Sequence, residues 1–150
     1  MEQCLTDLPA TVNQRATVRP RIRIVLADDN PGLRAEVQRN LDSEFEVVAT
    51  VANGRELLEV FDRLKPDVVV TDISMPLVDG FEAAVELRLR GKPPVVFFTV
   101  HEDSAFFEEA KALGALGYVL KRSPPSVLAR AIRSAYEGHF FLSPELKLRI

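Results

Sequence analysis

The chain has 150 residues, 47% of them hydrophobic, and a formal net charge of −3, which predicts one globular domain with a buried core and no global basic field for nucleic acid. Its single cysteine, Cys4, excludes a disulfide framework and favours a reducing compartment. Because no apolar run is long enough for a signal peptide or a membrane span, we expect a cytoplasmic protein that does not contact membranes.

The first segment of the chain, residues 1–20, carries many polar side chains and two prolines. It shows neither helical nor alternating periodicity, and we therefore expect a mobile N-terminal arm. The folded domain is expected to begin at Arg21 and to end near residue 138.

Strand-like and helix-like segments alternate from Arg21 onward. The predicted strands are 22–27, 45–51, 68–71, 95–99 and 117–120. The predicted helices are 31–41, a second that follows the Asn53-Gly54 turn and is stopped by Pro66, about 81–90, 104–113 and 125–137. Asn30 is placed to cap the first helix, with Pro31 in its first turn. Five βα units in succession imply right-handed crossovers and an α/β fold with a doubly wound, five-stranded parallel sheet of flavodoxin-like order 2-1-3-4-5.

Chemically useful side chains stand where four of these strands end. They are Asp28 and Asp29 after the first strand, Asp72 after the third, Thr99 at the end of the fourth and Lys121 after the fifth. Because the carboxyl ends of parallel strands share one edge of the sheet, these side chains should converge in one crevice.

The predicted crevice needs a cation, since two carboxylates about 4 Å apart repel by roughly 4 kcal/mol at an effective dielectric of about 20. Mg²⁺ supplies that charge through carboxylate oxygens and retained waters, and Lys121 adds another. Helix capping is the alternative role for Asp28 and Asp29, but Asn30 is better placed for it.

A carboxylate such as Asp72 beside Mg²⁺ can accept a phosphoryl group. The Thr99 hydroxyl can donate to a phosphoryl oxygen, although a threonine at a strand end is ordinarily only a β-former.

From about residue 21 to residue 137 the sequence resembles the receiver domains of two-component response regulators, in particular the subgroup with a C-terminal helix-turn-helix output domain of the LuxR/NarL type. The matching pieces are Val25-Leu26-Ala27-Asp28-Asp29-Asn30, Asp72-Ile73-Ser74-Met75-Pro76-Leu77-Val78-Asp79-Gly80, Thr99, and Gly117-Tyr118-Val119-Leu120-Lys121 followed by Arg122-Ser123.

The resemblance implies that a sensor histidine kinase phosphorylates Asp72. It also implies that Asp29, Asp72 and the backbone carbonyl of Ser74 bind Mg²⁺, with Asp28 helping through water. Thr99 is then drawn toward the phosphoryl group and Tyr118 rotates inward behind it, a two-state switch that repacks the fourth helix, fifth strand and fifth helix. Without the resemblance, Tyr118 is equally well explained as an aromatic of an amphipathic strand.

Several positions depart from the family pattern. Val100 stands where a small residue is more common, and we expect it to crowd the phosphoryl pocket. Arg122-Ser123 replaces the lysine-proline pair of many receivers. His101 lies two residues beyond Thr99, near enough to approach the pocket, but is expected to be solvated. Phe106 and Phe107, about 100° apart on a helix, are expected to be unequally buried; core packing is their expected main role, and a partner surface is the alternative for an exposed one.

The last residues, 139–150, are expected to be a linker in which Leu142-Ser143-Pro144-Glu145-Leu146 starts a helix that is cut off at Ile150. In the subgroup resembled, this phrase leads into the DNA-binding domain, so any contact with DNA is expected only through that missing domain. Dimerisation on phosphorylation is a hypothesis that rests on the aromatic pair of the fourth helix and on the amphipathic fifth helix.

The sequence therefore favours a phosphorylation-controlled switch that modifies its own Asp72 and is not a turnover enzyme. A phosphatase or dehalogenase with an aspartate nucleophile would want an acidic residue where Ser74 stands. Flavin binding on the same fold would call for a phosphate-cradling loop where Asp28 and Asp29 stand. The main alternative is a receiver-like interaction module that works without phosphorylation.

Overall fold

The computed structural model describes residues 20–147, which form a parallel sheet with helices on both faces. The strands are β1 (Arg23–Ala27), β2 (Glu46–Val51), β3 (Val68–Thr71), β4 (Val95–Thr99), β5 (Gly117–Leu120) and β6 (Phe141–Leu142); the helices are α1 (Pro31–Leu41), α2 (Gly54–Leu64), α3 (Gly80–Arg88), α4 (Ser104–Ala112), α5 (Pro125–Tyr136) and α6 (Pro144–Lys147). The predicted elements agree with these bounds to within two residues. The predicted arm lies, apart from Pro20, outside the described residues, as do residues 148–150.

The sheet order is β2-β1-β3-β4-β5-β6 with every pair parallel. The predicted order of the first five strands is confirmed, but the expectation of five strands was wrong. Phe141 and Leu142 lie opposite Gly117 and Tyr118 and add a sixth strand to the edge. Two residues are too few to show strand periodicity, and this part of the chain was expected to be a linker.

Continuous apolar runs in the central strands explain why they are buried on both faces. All residues of β3, β4 and β5 are buried. One apolar cluster fills the space between the sheet and α2, α3 and α4, and a second lies between the sheet and α1 and α5. This two-sided burial fixes the strands in register, so that the residues directly after them have defined positions.

Capping residues determine where the helices near the strand ends begin. The side chain of Asn30 accepts a hydrogen bond from the Leu33 backbone N–H at 3.0 Å, and Pro31 occupies the first turn of α1, as predicted. Asp79 forms a capping box with Glu82 at the start of α3. Among residues 20–147, no helix combines the length and the apolar character needed to cross a membrane.

Candidate functional site

Backbone hydrogen bonds hold the four predicted strand ends side by side. The Asp72 N–H donates to the Ala27 carbonyl at 2.9 Å, and the Lys121 N–H donates to the Thr99 carbonyl at 2.8 Å. The Asp28 N–H donates to the Val51 carbonyl at 3.0 Å. The ladder thus extends beyond the strands, and the crevice predicted at their carboxyl ends is present.

Lys121 lies between two carboxylates at the centre of this crevice. Its Nζ is 2.6 Å from Asp28 Oδ2 and 2.8 Å from Asp72 Oδ2. All three side chains are largely buried, with exposed fractions of 16% for Lys121, 2% for Asp28 and 9% for Asp72. Burial by itself lowers the pKa of Lys121, but the interactions with the two carboxylates outweigh burial and leave the pKa raised. Lys121 is therefore a cation at physiological pH.

Asp28 has one satisfied and one poorly satisfied carboxylate oxygen. Oδ1 accepts from the Asn30 N–H at 2.9 Å, so Asp28 also supports the turn into α1. Oδ2 is buried and has no aligned hydrogen bond. Its contact with Lys121 is an ion pair that lacks the geometry of a good hydrogen bond.

A divalent cation fits this group of oxygens. One carboxylate oxygen from each of Asp28, Asp29 and Asp72 lies within 4.8 Å of the others, and Asp29 is exposed on the solvent side. Oxygen ligands from a few carboxylates suit Mg²⁺. The buried Asp28 Oδ2, which lacks an aligned donor, is the kind of atom that such a cation or one of its waters satisfies. The three predicted acidic residues are therefore together.

The backbone around Asp72 holds its side chain in place. Oδ1 accepts from the Ile73 N–H at 2.7 Å, and Oδ2 is the atom that contacts Lys121. Gly80 approaches so closely that a Cβ at this position would clash with the Asp72 carbonyl oxygen, and its N–H donates to the Ile73 carbonyl at 2.7 Å. Only glycine allows the loop between β3 and α3 to close in this way.

Thr99 and Tyr118 are both linked to the backbone of His101. Thr99 Oγ1 accepts from the His101 N–H at 3.1 Å, and the Tyr118 hydroxyl donates to the His101 carbonyl at 2.9 Å. Both residues are fully buried. Burial, together with the negative charges of Asp103 and Asp72, raises the pKa of Tyr118, which keeps its phenol protonated as a hydrogen-bond donor.

The His101 side chain is half-buried and is held by two contacts, whereas we expected it to stand free in solvent. Its Nε2 lies 2.9 Å from Ser74 Oγ, and its ring stacks on Phe106 with the ring centroids 4.0 Å apart. It thereby joins the loop after β3 to the loop after β4. Sequence reasoning missed this contact because Ser74 and His101 are 27 residues apart.

Val100 is 66% exposed, so it is not part of the core, and its effect on the phosphoryl pocket stays a prediction. The unequal burial of the aromatic pair is confirmed: Phe107 is buried, whereas Phe106 is half-buried under His101. Phe107 packs edge-on against Tyr118 with centroids 5.7 Å apart, which supports the predicted core role.

Comparisons with known proteins consistently match one family. Residues 24–133 match the model of the response regulator receiver domain. The chain is 33% identical over 129 residues to the transcriptional regulatory protein DegU of Brevibacillus brevis, and 35% identical over 127 residues to the transcriptional regulatory protein DesR of Bacillus subtilis strain 168. These matches cover 84% and 83% of this chain but only 55% and 63% of the two relatives.

A solved structure is also similar. It is a LuxR-family two-component response regulator from Aurantimonas sp. SI85-9A1, with a TM-score of 0.81 and 34% identity. The similarity covers 85% of this chain and 94% of that one.

Proposed function

The chain belongs to the response regulator receiver domain family, and from that premise we propose that it is a switch controlled by phosphorylation of Asp72. The phosphoryl group comes from the phosphohistidine of a sensor histidine kinase. One observation carries the assignment of the acceptor. Asp72 follows the central strand β3, between the ends of β1 and β4, and its carboxylate lies 2.8 Å from Lys121 Nζ beside two further acidic residues, an arrangement that a purely structural aspartate does not need.

The transfer step uses groups that are already in position. A carboxylate oxygen of Asp72 attacks phosphorus, the phosphorus–nitrogen bond breaks, and the imidazole nitrogen of the kinase leaves with the bonding electron pair. The product is an acyl phosphate on Asp72. The bond from the Ile73 N–H to Oδ1 fixes the orientation of the carboxylate, which lowers the entropy lost when the reacting atoms align.

Lys121 and Thr99 stabilise the charge of the transferred group. Lys121 Nζ lies at the acceptor oxygen before the reaction and can move to a phosphoryl oxygen after it. Thr99 Oγ1 accepts from the His101 N–H, which leaves its own proton free to be donated to a phosphoryl oxygen. Both contacts place positive charge or a donor where negative charge increases.

Mg²⁺ would be held by the carboxylates of Asp29 and Asp72 and by the backbone carbonyl of Ser74, with Asp28 acting through a water. When bound, it supplies positive charge to the phosphoryl oxygens. Asp28 keeps its side chain oriented through the Asn30 N–H, and Asp29 stays accessible to solvent, so the group can admit a hydrated cation without refolding.

The output of the switch is a change of surface rather than a released product. The chain spans little more than half the length of the first relative named above, and both relatives are called transcriptional regulatory proteins. These facts support the proposal that the whole protein controls transcription in the cytoplasm and contacts DNA through a helix-turn-helix domain, not through residues 1–150. Homodimerisation on phosphorylation remains part of the proposal, and light scattering that shows an unchanged monomer after phosphorylation would refute it.

The decisive experiment is intact-mass measurement after treatment with acetyl phosphate, with and without Mg²⁺. We expect a gain of one phosphoryl group that requires Mg²⁺ and is lost in Asp72→Asn. Asp62→Asn is the matched control, since Asp62 is an exposed aspartate paired with Arg90, and it should be phosphorylated like the unaltered protein. If the unaltered protein gains no mass from acetyl phosphate or from a phosphorylated histidine kinase, the protein is instead a phosphorylation-independent interaction module.

A further inference from the structure

The segment after α5 is attached to the sheet beside the candidate site. We call residues Phe141–Leu146 the strap. The Phe141 N–H donates to the Leu116 carbonyl at 3.1 Å, and the Ser143 N–H donates to the Tyr118 carbonyl at 3.0 Å. The strap therefore pairs with β5, the strand that carries the proposed switch tyrosine and directly precedes the lysine of the crevice.

Ser143 connects the strap to the chain on both sides of Lys121. Its Oγ accepts from the Leu120 N–H at 3.0 Å and lies 2.9 Å from Ser123 Oγ. Ser123 Oγ also lies 2.7 Å from Glu145 Oε1, and this bond lowers the pKa of Glu145. Ser143 is completely buried. A buried hydroxyl with these partners is costly to leave unsatisfied.

Apolar contacts connect the strap to the same strand. Leu142 and Leu146 are buried and belong to the cluster that contains Tyr118, Leu120 and Phe107. Leu146 has no exposed surface. The strap thus covers the side of β5 that faces α4, the region in which the switch residues lie.

We propose that the strap is released when Asp72 is phosphorylated, so that residues 141–147 report the state of the acidic crevice. This inference rests on the proposed function. In the structure, Thr99 Oγ1 accepts from the His101 N–H and the Tyr118 hydroxyl donates to the His101 carbonyl, so the His101 backbone links the crevice to the strand against which the strap lies. When Thr99 Oγ1 moves toward a phosphoryl oxygen, it releases the His101 N–H, and the His101 carbonyl no longer fixes the Tyr118 ring beside Leu142 and Leu146. The strap then loses its contacts with Tyr118 and opens.

Linkage requires the converse effect as well. If phosphorylation favours the open strap, an open strap favours binding of a phosphoryl analogue by the same factor. Ser143→Ala should therefore bind fluoroberyllate with Mg²⁺ more tightly than the unaltered protein. Ser134→Ala is the matched control, because the Ser134 hydroxyl donates to the His139 carbonyl just before the strap and does not contact β5.

The test is hydrogen exchange of the full chain, read by mass spectrometry, with and without fluoroberyllate and Mg²⁺. Peptides over residues 117–123 and 139–147 report the strap, and a peptide over 54–64 reports the rest of the fold. We expect exchange at 139–147 to become about tenfold faster on binding, the effect of losing roughly one buried hydrogen bond. In Ser143→Ala the exchange should already be fast and should change little on binding, whereas Ser134→Ala should respond like the unaltered protein.

Two results would overturn the inference. One is a strap whose exchange is unchanged or slower when the analogue is bound; the other is Ser143→Ala that binds the analogue no more tightly than Ser134→Ala. Failure of the proposed function is recognised separately, by intact mass after acetyl phosphate. In that case Tyr118→Phe still tests the connection, since loss of its hydrogen bond to the His101 carbonyl must accelerate exchange at 139–147 more than at 54–64.

Discussion

Substitution of Lys121 by methionine tests the electrostatic account of the crevice most directly. Methionine keeps much of the length and apolar stem of lysine and removes only the charge between Asp28 and Asp72. The acidic oxygens lie within 4.8 Å of one another, so each unscreened pair repels by about 3.5 kcal/mol at an effective dielectric of about 20. Loss of one partner from a buried ion pair has a similar cost, about 3–5 kcal/mol.

We therefore expect Lys121→Met, without Mg²⁺, to lose about 3 kcal/mol of unfolding free energy at neutral pH. For a chain of this size, that loss corresponds to a decrease in melting temperature of roughly 6–12 °C. Mg²⁺ should restore more stability to the variant than to the unaltered protein, because a bound cation replaces the missing charge and no longer competes with Lys121.

The assay is urea unfolding followed by circular dichroism, with EDTA or with millimolar Mg²⁺. Lys111→Met is the control, since Lys111 is an exposed cation above the Phe107 ring and its loss should cost no more than about 1 kcal/mol. The reasoning is refuted if Lys121→Met is as stable as Lys111→Met in EDTA, or if the two variants gain the same stability from Mg²⁺.

Three further predictions concern the elements around the crevice. Gly80→Ala should destabilise the fold by several kcal/mol, because its Cβ clashes with the Asp72 backbone carbonyl; urea unfolding measures the loss, and a variant of normal stability would show that the loop is looser than described. The raised pKa of Tyr118 predicts that the phenolate absorbance of this residue appears only above pH 10. The Tyr118→Phe variant, which lacks that absorbance, identifies it. A phenol whose pKa is raised by folding contributes stability that is lost as the pH rises above its pKa in the unfolded chain. This absorbance should therefore accompany alkaline unfolding. A transition at or below pH 10 in folded protein would contradict the burial argument. Leu146→Ala should speed hydrogen exchange in the strap while changing global stability by less than the usual 2–5 kcal/mol for a buried leucine, because the strap can open alone; a full global loss would show that it cannot.

The convergence of the site residues could be predicted because each follows a strand with an unmistakable apolar run. Parallel topology then brings strand ends together whatever their separation in sequence. The cap at Asn30 was predictable for a similar reason, since asparagine before proline is a local signal that needs no tertiary contact.

Features that depend on contacts between distant loops could not be predicted. The sixth strand has two residues and owes its existence to pairing with β5, so no pattern in its own sequence indicates it. The contact between Ser74 and His101 likewise requires two loops to approach each other. A histidine two residues after a strand-end threonine can place its side chain either in solvent or at the site. Only the folded loops decide between these positions.

The sizes of the interactions indicate how complete the release of the strap will be. Moving an equilibrium from 1:99 to 99:1 requires about 5.5 kcal/mol of differential binding. A charge-assisted hydrogen bond from Lys121 to a phosphoryl oxygen contributes about 1.5–3 kcal/mol, but the lysine gives up its contact with Asp28 to make it. The lysine alone therefore supplies little net free energy for release, which has to separate the hydrogen bonds of Ser143 and Ser123 and expose the buried Leu146. Full release needs additional interactions that are made only to the phosphoryl group, and the Thr99 hydroxyl, whose proton is free to be donated, is the neighbouring group able to make one. Removal of that hydroxyl in Thr99→Val should leave phosphorylation of Asp72 measurable but reduce the acceleration of exchange at residues 139–147.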